Sequence, residues 1–341
     1  MKDNAPKVSV VMTAYNDLRF LDAAIDSVLR QDFEDFELIV VDDGTGRRDL
    51  FEPIRQRDAR IRVLVNPANI GTASAANRGI EAARADIIAR LDADDISEPT
   101  RLSRLVEALS EDPELGLVGS ACILIDESDR TLGTQPMPET DLEVRWTILF
   151  HNPFYHSTTA FRRSCFDAAG RYRADELVSQ DHYLWFDMLP FCRARNIAEP
   201  LVRYRMNSQG LTATNATNAR ARTHRIREVL WERLGLRYDL HQDEPAGDIT
   251  QFLRGHSIPV PRRALAYQKL VTVLRAFAAS CQAGVRADDR KALDRLKHDM
   301  ITRILAAPPA GLRQRMRIYY SCYRVDRLAT AGALLKRLFS A

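Results

Sequence analysis

An apolar stretch that ends in a cluster of carboxylates constrains the fold of this chain more than any other feature. Residues 87–91 read as a buried strand, and Asp92, Asp94 and Asp95 follow it within four residues. Three anions at one strand end repel each other, and a divalent cation is the natural compensating charge. Mg²⁺ prefers oxygen ligands and often binds one or two protein carboxylates together with substrate phosphates. The pattern therefore predicts a metal–diphosphate site, and the alternative is a solvated acidic turn that caps the next helix.

A second strand of the same kind lies earlier in the chain. The apolar stretch 36–41 ends in Asp42, Asp43 and the turn residue Gly44. Because strands of this kind alternate with helical patterns, we expect a parallel sheet whose loops gather at its carboxyl edge. In open α/β sheets this edge is where ligands bind.

The hydrophobic periodicity divides the chain into two parts. The first part predicts strands at 8–12, 36–41, 61–65, 87–91 and 115–125 with helices between them, and then a mixed α+β pattern to about residue 206. From about residue 219 the pattern is helical, with segments near 219–235, 263–283, 288–306 and 311–339. We therefore predict an α/β fold with a mainly parallel open sheet and flanking helices, followed by an all-helical C-terminal region.

Charge is distributed unevenly between these two parts. The 341 residues have a formal net charge of +3, but residues 220–341 contain 24 Lys and Arg against 11 Asp and Glu, a net charge of +13. The remaining residues therefore carry a net charge of −10. This difference supports a domain boundary near residue 215, with one domain over 1–215 and a basic helical domain over 216–341.

The composition also bears on the cellular location. No apolar run is long enough to cross a bilayer, and the strand at 8–12 leaves no room for a signal peptide. The five cysteines form no CxxC pair, which fits reduced thiols in a cytosolic protein. We expect a cytoplasmic protein whose basic C-terminal region either contacts an anionic membrane or forms a helical bundle with a basic solvated face.

Five motifs follow one another over residues 7–212, about three-fifths of the chain. They are Val8-Ser9-Val10-Val11-Met12-Thr13-Ala14-Tyr15-Asn16, Val41-Asp42-Asp43-Gly44-Thr45, Asn69-Ile70-Gly71 through Asn77-Arg78-Gly79-Ile80, Leu91-Asp92-Ala93-Asp94-Asp95, and Ser179-Gln180-Asp181-His182-Tyr183-Leu184-Trp185. With these motifs the chain resembles the family 2 glycosyltransferases, which have the GT-A fold. The resemblance implies an inverting transfer of a sugar from a nucleoside diphosphate sugar to an acceptor hydroxyl, in polysaccharide or glycolipid biosynthesis.

The resemblance implies a nucleotide pocket at the first three motifs. Its candidate residues are Thr13, Tyr15, Asp43, Asn69 and Arg78, of which Asp43 matches the family's uracil-contacting acid. A carboxylate can accept the imide N3–H of uracil or thymine, or the N1–H of guanine, whereas adenine has no such ring N–H. This chemistry disfavours ADP and leaves UDP, dTDP and GDP open, and among these the resemblance favours UDP. The family often has an arginine where this chain has Ala76, and Arg78 is the candidate substitute.

The fourth motif implies metal binding through a DXD pattern. Asp94 is the expected main ligand of Mg²⁺ or Mn²⁺, with Asp95 beside it and Asp92 on either the metal or the ribose. The cation would stabilise the departing diphosphate as a Lewis acid. The family often has a histidine after a late Tyr-Arg pair, and Asn207, at that position here, is a weaker candidate ligand.

The fifth motif implies the acceptor side of the site. Inversion at one carbon needs a general base that takes the proton of the acceptor hydroxyl, and Asp181 occupies the family's position for that base. The usual Glu-Asp pair is Gln180-Asp181 here, which leaves the positioning of the acceptor open. His156 is expected either in the wall of the active site or in a structural hydrogen bond.

Two other functions stay open on the sequence. A nucleotidyltransferase can share a similar sheet and metal acids, but it needs no acceptor base. A catalytically silent scaffold that binds nucleotide sugars would fit the departures at Gln180 and Asn207, although Asp43, Asp94 and Asp181 together favour catalysis. The expected partners are a nucleotide-sugar donor and a saccharide or lipid-linked acceptor, without nucleic acid.

Overall fold

The computed structural model describes residues 5–174 and 179–209 and, further along the chain, 225, 228–232, 234–236, 244–253, 256–281, 287–306, 309, 311–326 and 330. The chain divides into two compact units, one comprising Met1–Val144 and Asn152–Arg222 and the other Arg145–His151 and Thr223–Ala341. The domain boundary predicted at 215/216 falls on a stretch outside the described residues, so it stays a prediction.

A mixed sheet of nine strands, counted over the described residues, forms the centre of the first unit. The strands are β1 Val8–Ala14, β2 Phe36–Asp42, β3 Ile61–Val65, β4 Ile87–Arg90, β5 Ile96–Ser97, β6 Leu115–Ile125, β7 Thr131–Gln135, β8 Ala160–Arg162 and β9 Arg193–Arg205. Their order is β3-β2-β1-β4-β8-β6-β9-β5, with β7 paired to β6. The strands β1 to β4 are parallel, as predicted. Beyond β4 the pairing becomes mixed, because β8 is antiparallel to both β4 and β6 while β9 is parallel to β6.

Helices cover this sheet and bury its apolar side chains. They are α1 Leu21–Leu29, α2 Arg48–Arg57, α3 Thr72–Ala82, α4 Arg101–Glu111, α6 Arg163–Ala168 and α7 Gln180–Met188. The helix α5, Asp141–Thr147, begins in the first unit and continues into the second at Arg145. The helix α3 packs very closely on β1, since a Cβ atom at Gly79 would lie 2.5 Å from Val11 Cγ1. This contact fixes the end of the third motif against the central strand.

The parallel register brings the first, second and fourth motifs to one edge of the sheet. Ala14 pairs with Asp42, and Val11 pairs with Arg90, so β1, β2 and β4 end near one another. The Asp43 N–H continues this pairing and donates to Ala14 O over 2.9 Å. The two acidic strand ends therefore lie at the same edge, on either side of β1.

The described part of the second unit is helical, as predicted. Its helices are α8 Glu244–Leu253, α9 Val260–Ser280, α10 Ala287–Ala306 and α11 Leu312–Val325. The sequence missed α8, and the prediction of one segment over 311–339 is wrong at Asp326, whose extended backbone (φ −152°, ψ 109°) ends α11. Most of the segment predicted at 219–235 lies outside the described residues. Among the described helices, none has both the length and the apolar character to cross a membrane.

Candidate active site

The turn that follows β4, residues 92–95, is named here the acidic turn. Hydrogen bonds with Ser157 and Arg205 hold it in place. Ser157 Oγ accepts the Asp92 N–H at 3.0 Å and donates to Asp95 Oδ2. Asp95 Oδ1 accepts the Arg205 N–H at 2.8 Å, and only 1% of Asp95 is exposed. Both Asp95 oxygens are thus engaged by the protein. The geometry favours Asp94 as the metal ligand, and Asp95 as a second ligand stays a prediction.

Three buried arginine side chains surround the acidic turn. Arg90 and Arg101 are fully buried, and the Arg205 side chain is 1% exposed. Arg205 Nε donates to Asp94 O at 2.8 Å, and Arg101 Nη2 donates to Arg90 O at 2.6 Å. Burial lowers the pKa of Arg101 to about 9, while the charge of Asp95 opposes this effect, so Arg101 remains cationic at neutral pH. The cluster of carboxylates predicted a divalent cation as the compensating charge, and these arginines supply part of that charge.

The three carboxylates of the acidic turn ionise differently. Burial opposes ionisation of Asp92, but its contacts with His156 and Arg90 outweigh this effect and help to lower its pKa to about 2. Burial and the negative charge of Asp92 raise the pKa of Asp94. Burial and the neighbouring carboxylates raise the pKa of Asp95 well above its ordinary value. A divalent cation at Asp94 would relieve this repulsion.

The donors around Asp94 fit a cation that is shared with a diphosphate. In the part of the chain that the structure describes, no three His, Cys, Asp or Glu side chains are grouped as a complete metal site. Mg²⁺ needs no such group, because it often binds one or two carboxylates and completes its coordination with phosphates and water. Asn207 presents Nδ2 to Asp94 Oδ2 at 3.0 Å, and its Oδ1 accepts the Gln209 N–H instead. The predicted weak ligation by Asn207 would need the amide to turn around.

Asp17 and Arg19, which sequence reasoning missed, complete the surroundings of Asn207. Asn207 Nδ2 also donates to Asp17 Oδ2 at 3.2 Å. Arg19 holds Asp17 with hydrogen bonds of 2.9 and 2.7 Å, and these bonds lower the pKa of Asp17 to about 2 although burial opposes the shift. The only sequence signal for this pair was its place directly after the first motif.

The acidic end of β2 is enclosed by the loop that follows β3. Asp43 Oδ1 accepts hydrogen bonds from Asn66 Nδ2 at 2.7 Å and from the Ile70 N–H at 3.0 Å. Asp43 Oδ2 accepts from Asn69 Nδ2 at 3.0 Å and from the Gly71 N–H at 3.1 Å. A carboxylate has about four lone-pair sites, so these four donors, named here the Asp43 clamp, use its full capacity. The predicted contact with a base N–H therefore requires one of them to open.

The remaining candidates for the nucleotide lie around this clamp. Arg78 Nη1 donates to Val65 O at 2.9 Å and to Asn66 Oδ1, so Arg78 supports the clamp through Asn66. Thr13 lies at the end of β1 and is half-buried, and Tyr15, just beyond it, is 54% exposed. Hydrogen bonds thus connect Asp43 with Asn69 and, through Asn66, with Arg78. Thr13 and Tyr15 lie at the end of the neighbouring strand β1, and Asp92, the sixth candidate for the nucleotide, lies in the acidic turn.

On the acceptor side, Asp181 is held in place at the start of α7. Its Oδ2 accepts a hydrogen bond from Asn152 Nδ2 at 2.6 Å, and its Oδ1 accepts the His182 N–H at 2.8 Å. Gln180 is only 6% exposed, and its Oε1 makes no hydrogen bond within the described residues. The structure therefore places Asp181 in a defined orientation, whereas the buried Gln180 side chain does not lie at an open acceptor surface.

His156 lies between Asp92 of the acidic turn and the Tyr172 hydroxyl. Its Nδ1 lies 3.3 Å from Asp92 Oδ1, and its Nε2 lies 2.7 Å from the Tyr172 hydroxyl. Burial raises the pKa of Tyr172, Arg90 opposes the shift, and the negative charges of Asp181 and Asp92 add to it. Tyr172 thus lies within electrostatic reach of both carboxylates. The two roles considered for His156, in the active-site wall and in a structural hydrogen bond, coincide in this geometry.

Comparison with known proteins connects these motifs to one family. The family model of Glycosyl transferase family 2 matches residues 9–170, which include the Asp43 clamp and the acidic turn. The putative glycosyltransferase EpsE of Bacillus subtilis (strain 168) is 31% identical over 226 residues, which cover 63% of this chain and 78% of EpsE. The O-antigen biosynthesis glycosyltransferase WbnJ of Escherichia coli is 29% identical over 234 residues, 66% of this chain and 90% of WbnJ.

Solved structures share the fold over nearly the whole chain. TarS 1-349 of S. aureus in complex with UDP-GlcNAc has a TM-score of 0.51 at 15% identity and covers 97% of this chain and 92% of that chain. The mannosyltransferase PcManGT from Pyrobaculum calidifontis, in complex with GDP-Man and Mn2+, has a TM-score of 0.50 at 17% identity and covers 98% and 88%. At these identities the likeness concerns the fold, and the predicted GT-A fold is confirmed.

Proposed function

We propose a donor, a metal and a catalytic base for this chain, which belongs to glycosyltransferase family 2 and is a glycosyltransferase. The proposed reaction is an inverting transfer of a sugar from a UDP-sugar to an acceptor hydroxyl. The observation that carries it is the acidic turn at the carboxyl edge of the parallel strands, where Asp92 has a lowered pKa and Asp94 a raised one. Open α/β sheets bind their ligands at this edge.

The acidic turn supports a bound Mg²⁺ or Mn²⁺, with Asp94 as its main protein ligand and Asp92 or Asp95 beside it. When bound, the cation would neutralise the charge that develops on the departing diphosphate. The Mn2+ in PcManGT, which has the same fold, supports this class of ion. The protein itself holds Asp94 in place, because Arg205 Nε binds its carbonyl oxygen and Asn207 Nδ2 binds its carboxylate.

Asp181 is the proposed general base. Asn152 and the His182 N–H orient its carboxylate, and an oxygen of that carboxylate would accept the proton of the acceptor hydroxyl. The acceptor oxygen would attack the anomeric carbon from the face opposite the nucleotide, and the bond from that carbon to the diphosphate oxygen would break with inversion. Tyr172 stays protonated because burial raises its pKa, so it does not compete for this proton.

The nucleotide is assigned to the ends of β1 and β2. Thr13 and Tyr15 would line the start of the pocket, Asn69 and Arg78 its far side, and Asp43 would accept the imide N–H of the base. For this contact one donor of the Asp43 clamp has to turn away, and the Asn69 amide is the side chain best placed to do so, at 3.0 Å from Oδ2. The complex of TarS with UDP-GlcNAc supports a UDP-sugar, and the complex of PcManGT with GDP-Man keeps GDP as the alternative.

The donor and the base are tested together by a screen of nucleotide sugars. We expect metal-dependent release of UDP from one UDP-sugar, lost with EDTA, and a product of inverted anomeric configuration by NMR when an acceptor is present. Asp181→Asn should lower transfer by about 10²–10⁴-fold, the usual contribution of a general base, without changing donor affinity by calorimetry. The matched control is Asp167→Asn, an exposed acid on α6 whose ion pair with Arg171 lies outside the site.

Other products would identify the alternative functions. Formation of a nucleotide sugar with release of pyrophosphate would assign a nucleotidyltransferase. Tight binding of a nucleotide sugar, without hydrolysis or transfer in any tested mixture of metals and acceptors, would assign a silent scaffold. Transfer with retained configuration would contradict the role of Asp181 while leaving the glycosyltransferase assignment intact.

The acceptor is proposed to be a saccharide or lipid-linked saccharide of a surface polysaccharide, met in the cytoplasm at the membrane. The relative WbnJ, named for O-antigen biosynthesis, supports this class of product. The helix α11 also exposes residues at helical spacing on one face, namely Arg313, Met316, Arg317, Tyr320 and Arg324. Cations interleaved with large apolar side chains suit the surface of an anionic membrane. The rest of the predicted basic segment, including Lys336 and Arg337, lies outside the described residues.

Liposome co-sedimentation tests this membrane contact. The protein should sediment with anionic but not neutral vesicles at low salt, and Arg313→Glu with Arg317→Glu should release it, since each basic residue near the surface is worth about 1 kcal/mol. Arg290→Glu on α10 is the control for a change of charge on a neighbouring helix. Wild-type protein that stays in the supernatant at low salt would assign the basic face to the helical fold itself or to another partner.

A further inference from the structure

An arginine is the last residue of a strand whose other residues are apolar. β4 reads Ile87-Ile88-Ala89-Arg90, and the Arg90 side chain is fully buried. Burial of a guanidinium is costly in free energy unless hydrogen-bond partners and opposite charges compensate it. The partners of Arg90 therefore indicate what this residue does.

These partners extend from the central strand to the acidic turn. Arg90 Nη1 donates to Val11 O of β1 at 2.5 Å, which anchors one side of the guanidinium. Its Nε donates to His156 Nε2 at 3.2 Å. Its Nη2 lies 3.5 Å from Asp92 Oδ1 and makes no hydrogen bond with any residue that the structure describes. Arg90 thus faces Asp92 directly and also through His156.

The contact with Arg90 determines how His156 meets Asp92. A guanidinium can only donate hydrogen bonds, so His156 Nε2 has to accept from it and carries no hydrogen. In a neutral imidazole the hydrogen then lies on Nδ1, the atom 3.3 Å from Asp92 Oδ1. Arg90 therefore selects the tautomer that directs an N–H group at the Asp92 carboxylate.

Tyr172, which is bound to Asn77 of α3, also holds the imidazole of His156. The Tyr172 hydroxyl lies 2.7 Å from His156 Nε2. Asn77, in the third motif, accepts the Tyr172 N–H at 3.1 Å and donates to Tyr172 O at 2.8 Å. Two hydrogen bonds to the backbone fix the position of Tyr172, and with it the ring of His156.

We propose that Arg90 is a positioning residue for donor binding: directly and through His156, it holds the Asp92 carboxylate in the orientation that receives the ribose hydroxyls of the nucleotide. This inference rests on the proposed glycosyltransferase reaction. The Asp92 side chain is 31% exposed and follows directly on β4, beside two further carboxylates that repel it. Arg90 and His156 attract Asp92 from the protein side and offset this repulsion, so its orientation does not depend on the ligand.

The test measures the coupling between Arg90 and Asp92 in nucleotide binding. UDP, dTDP and GDP are titrated into the wild-type protein by calorimetry with Mn²⁺, and the one that binds most tightly is the probe. Arg90→Lys should weaken its binding by about 10-fold, at the lower end of what the loss of a supporting contact behind a ligand-binding side chain typically costs. In the Asp92→Asn background the same substitution should have no further effect, because the carboxylate that it positions is gone. The donor KM should rise with Arg90→Lys while kcat changes little.

Arg163→Lys is the matched control. Arg163 follows β8 and donates to the carbonyl oxygens of Ala83 and Ala85, at 2.6 and 3.0 Å, away from the acidic turn. It should lose hydrogen bonds as Arg90→Lys does but leave nucleotide affinity unchanged. If Arg90→Lys does not fold, Tyr172→Phe and His156→Gln provide the same coupling test, since neither removes the buried charge.

The outcomes separate the two proposals. Equal weakening by Arg90→Lys in the wild-type and Asp92→Asn backgrounds, or a lowered Tm with unchanged affinity, overturns the positioning role and leaves the glycosyltransferase reaction in place. If none of the three nucleotides binds the wild-type protein, the proposed donor site fails, and the role of Arg90 fails with it.

Discussion

Strand β2 ends at Asp42 and is followed by Asp43. Strand β4, two positions away in the same sheet, is followed by the acidic turn. The Asp43 carboxylate is buried and receives four donors from the loop 66–71. Within the described residues, Asp94 receives a side-chain hydrogen bond from Asn207, and its pKa is raised by burial and by the charge of Asp92. Two similar sequence patterns at one edge of the sheet thus hold carboxylates that differ in their remaining capacity to bind a cation or a ligand.

The difference lies in the supply of N–H donors. At β2 the loop 66–71 folds over the strand end and provides amide and backbone donors, so the protein itself occupies the acceptor sites of the Asp43 carboxylate. At β4 the turn is short, and its nearest neighbours include other carboxylates. A carboxylate with few donors and anionic neighbours is one that a cation or a ligand can stabilise. We therefore propose the acidic turn as the reactive end and the Asp43 clamp as the support of the nucleotide site beside it.

The largest expected effect is the loss of turnover in Asp94→Asn. The substitution keeps the shape of the side chain and removes the charge that would hold the metal. We expect transfer to fall by at least about 10²-fold, as is typical when stabilisation of a developing charge is lost, while the free energy of unfolding does not decrease. Turnover with and without added Mn²⁺, and urea unfolding, measure the two quantities. Near-normal turnover in the variant would remove the contrast with Asp43.

The next effect is on stability and concerns the other strand end. Asp43→Ala leaves the donors of the clamp without an acceptor, and we expect the free energy of unfolding to fall by up to about 3 kcal/mol. If Asp43 also accepts the base N–H, UDP affinity falls by about one to two decades in the variant. Urea unfolding and calorimetry with UDP separate these contributions. An unchanged unfolding curve would show that the clamp is dispensable for stability and that its four hydrogen bonds do not distinguish the two strand ends.

A smaller effect is expected on the pH dependence of the free energy of unfolding. Glu37, at the start of β2, is buried, but hydrogen bonds from Ser9, Arg84 and Arg62 outweigh burial and lower its pKa below 4.5. A lowered pKa in the folded state adds stability above pH 4.5 that is lost as the pH falls through the folded value. Glu37→Gln should therefore lower the free energy of unfolding at pH 7 by about 1.5 kcal/mol. The difference between the variant and the wild type should shrink only as the pH falls below 4.5.

Asp95 should show the opposite sign in the same experiment. Its raised pKa means that the ionised carboxylate destabilises the fold at neutral pH, and that this penalty disappears as the pH falls through the raised value. Asp95→Asn, which can still accept the Arg205 N–H, should thus unfold at higher urea than the wild type at pH 7 and lose this advantage in acid. Parallel pH trends for the two variants would contradict the assignment of opposite shifts.

The smallest effect is expected for Arg78→Gln. Arg78 supports the Asp43 clamp indirectly, because it donates hydrogen bonds to Asn66 Oδ1 and to the carbonyl oxygen of Val65. We expect its loss to lower the free energy of unfolding by about 0.5–1.5 kcal/mol, the usual contribution of a hydrogen bond. The control is Arg55→Gln, because Arg55 reaches the carbonyl of Val63 on the same strand at 3.5 Å without touching the clamp. Equal effects of both substitutions would show that Arg78 has no specific part in the clamp.

Much of the fold followed from local patterns. The apolar stretches predicted β1 to β4 and β6 closely, and helices lie between them as predicted, because the pattern of apolar residues that an element buries is local to its own sequence. Two features of the structure were not marked by the local pattern. The extended backbone at Asp326 ends α11 inside a continuing helical pattern. Gln180 stands beside the proposed base in sequence, yet packing buries its side chain.

By itself the sequence determined that carboxylates gather at one edge of a parallel sheet, since strand ends and turn residues are local signals and parallel strands share an edge. It could not determine which of those carboxylates remain available. The N–H that occupies Asp95 Oδ1 belongs to Arg205, 110 positions later, and the amide on Asp94 belongs to Asn207, 113 positions later. Hydrogen bonds saturate a buried carboxylate only where folding brings such donors within about 3 Å. Tertiary structure therefore decided that Asp43 and Asp95 are enclosed and that Asp94 retains capacity for a ligand.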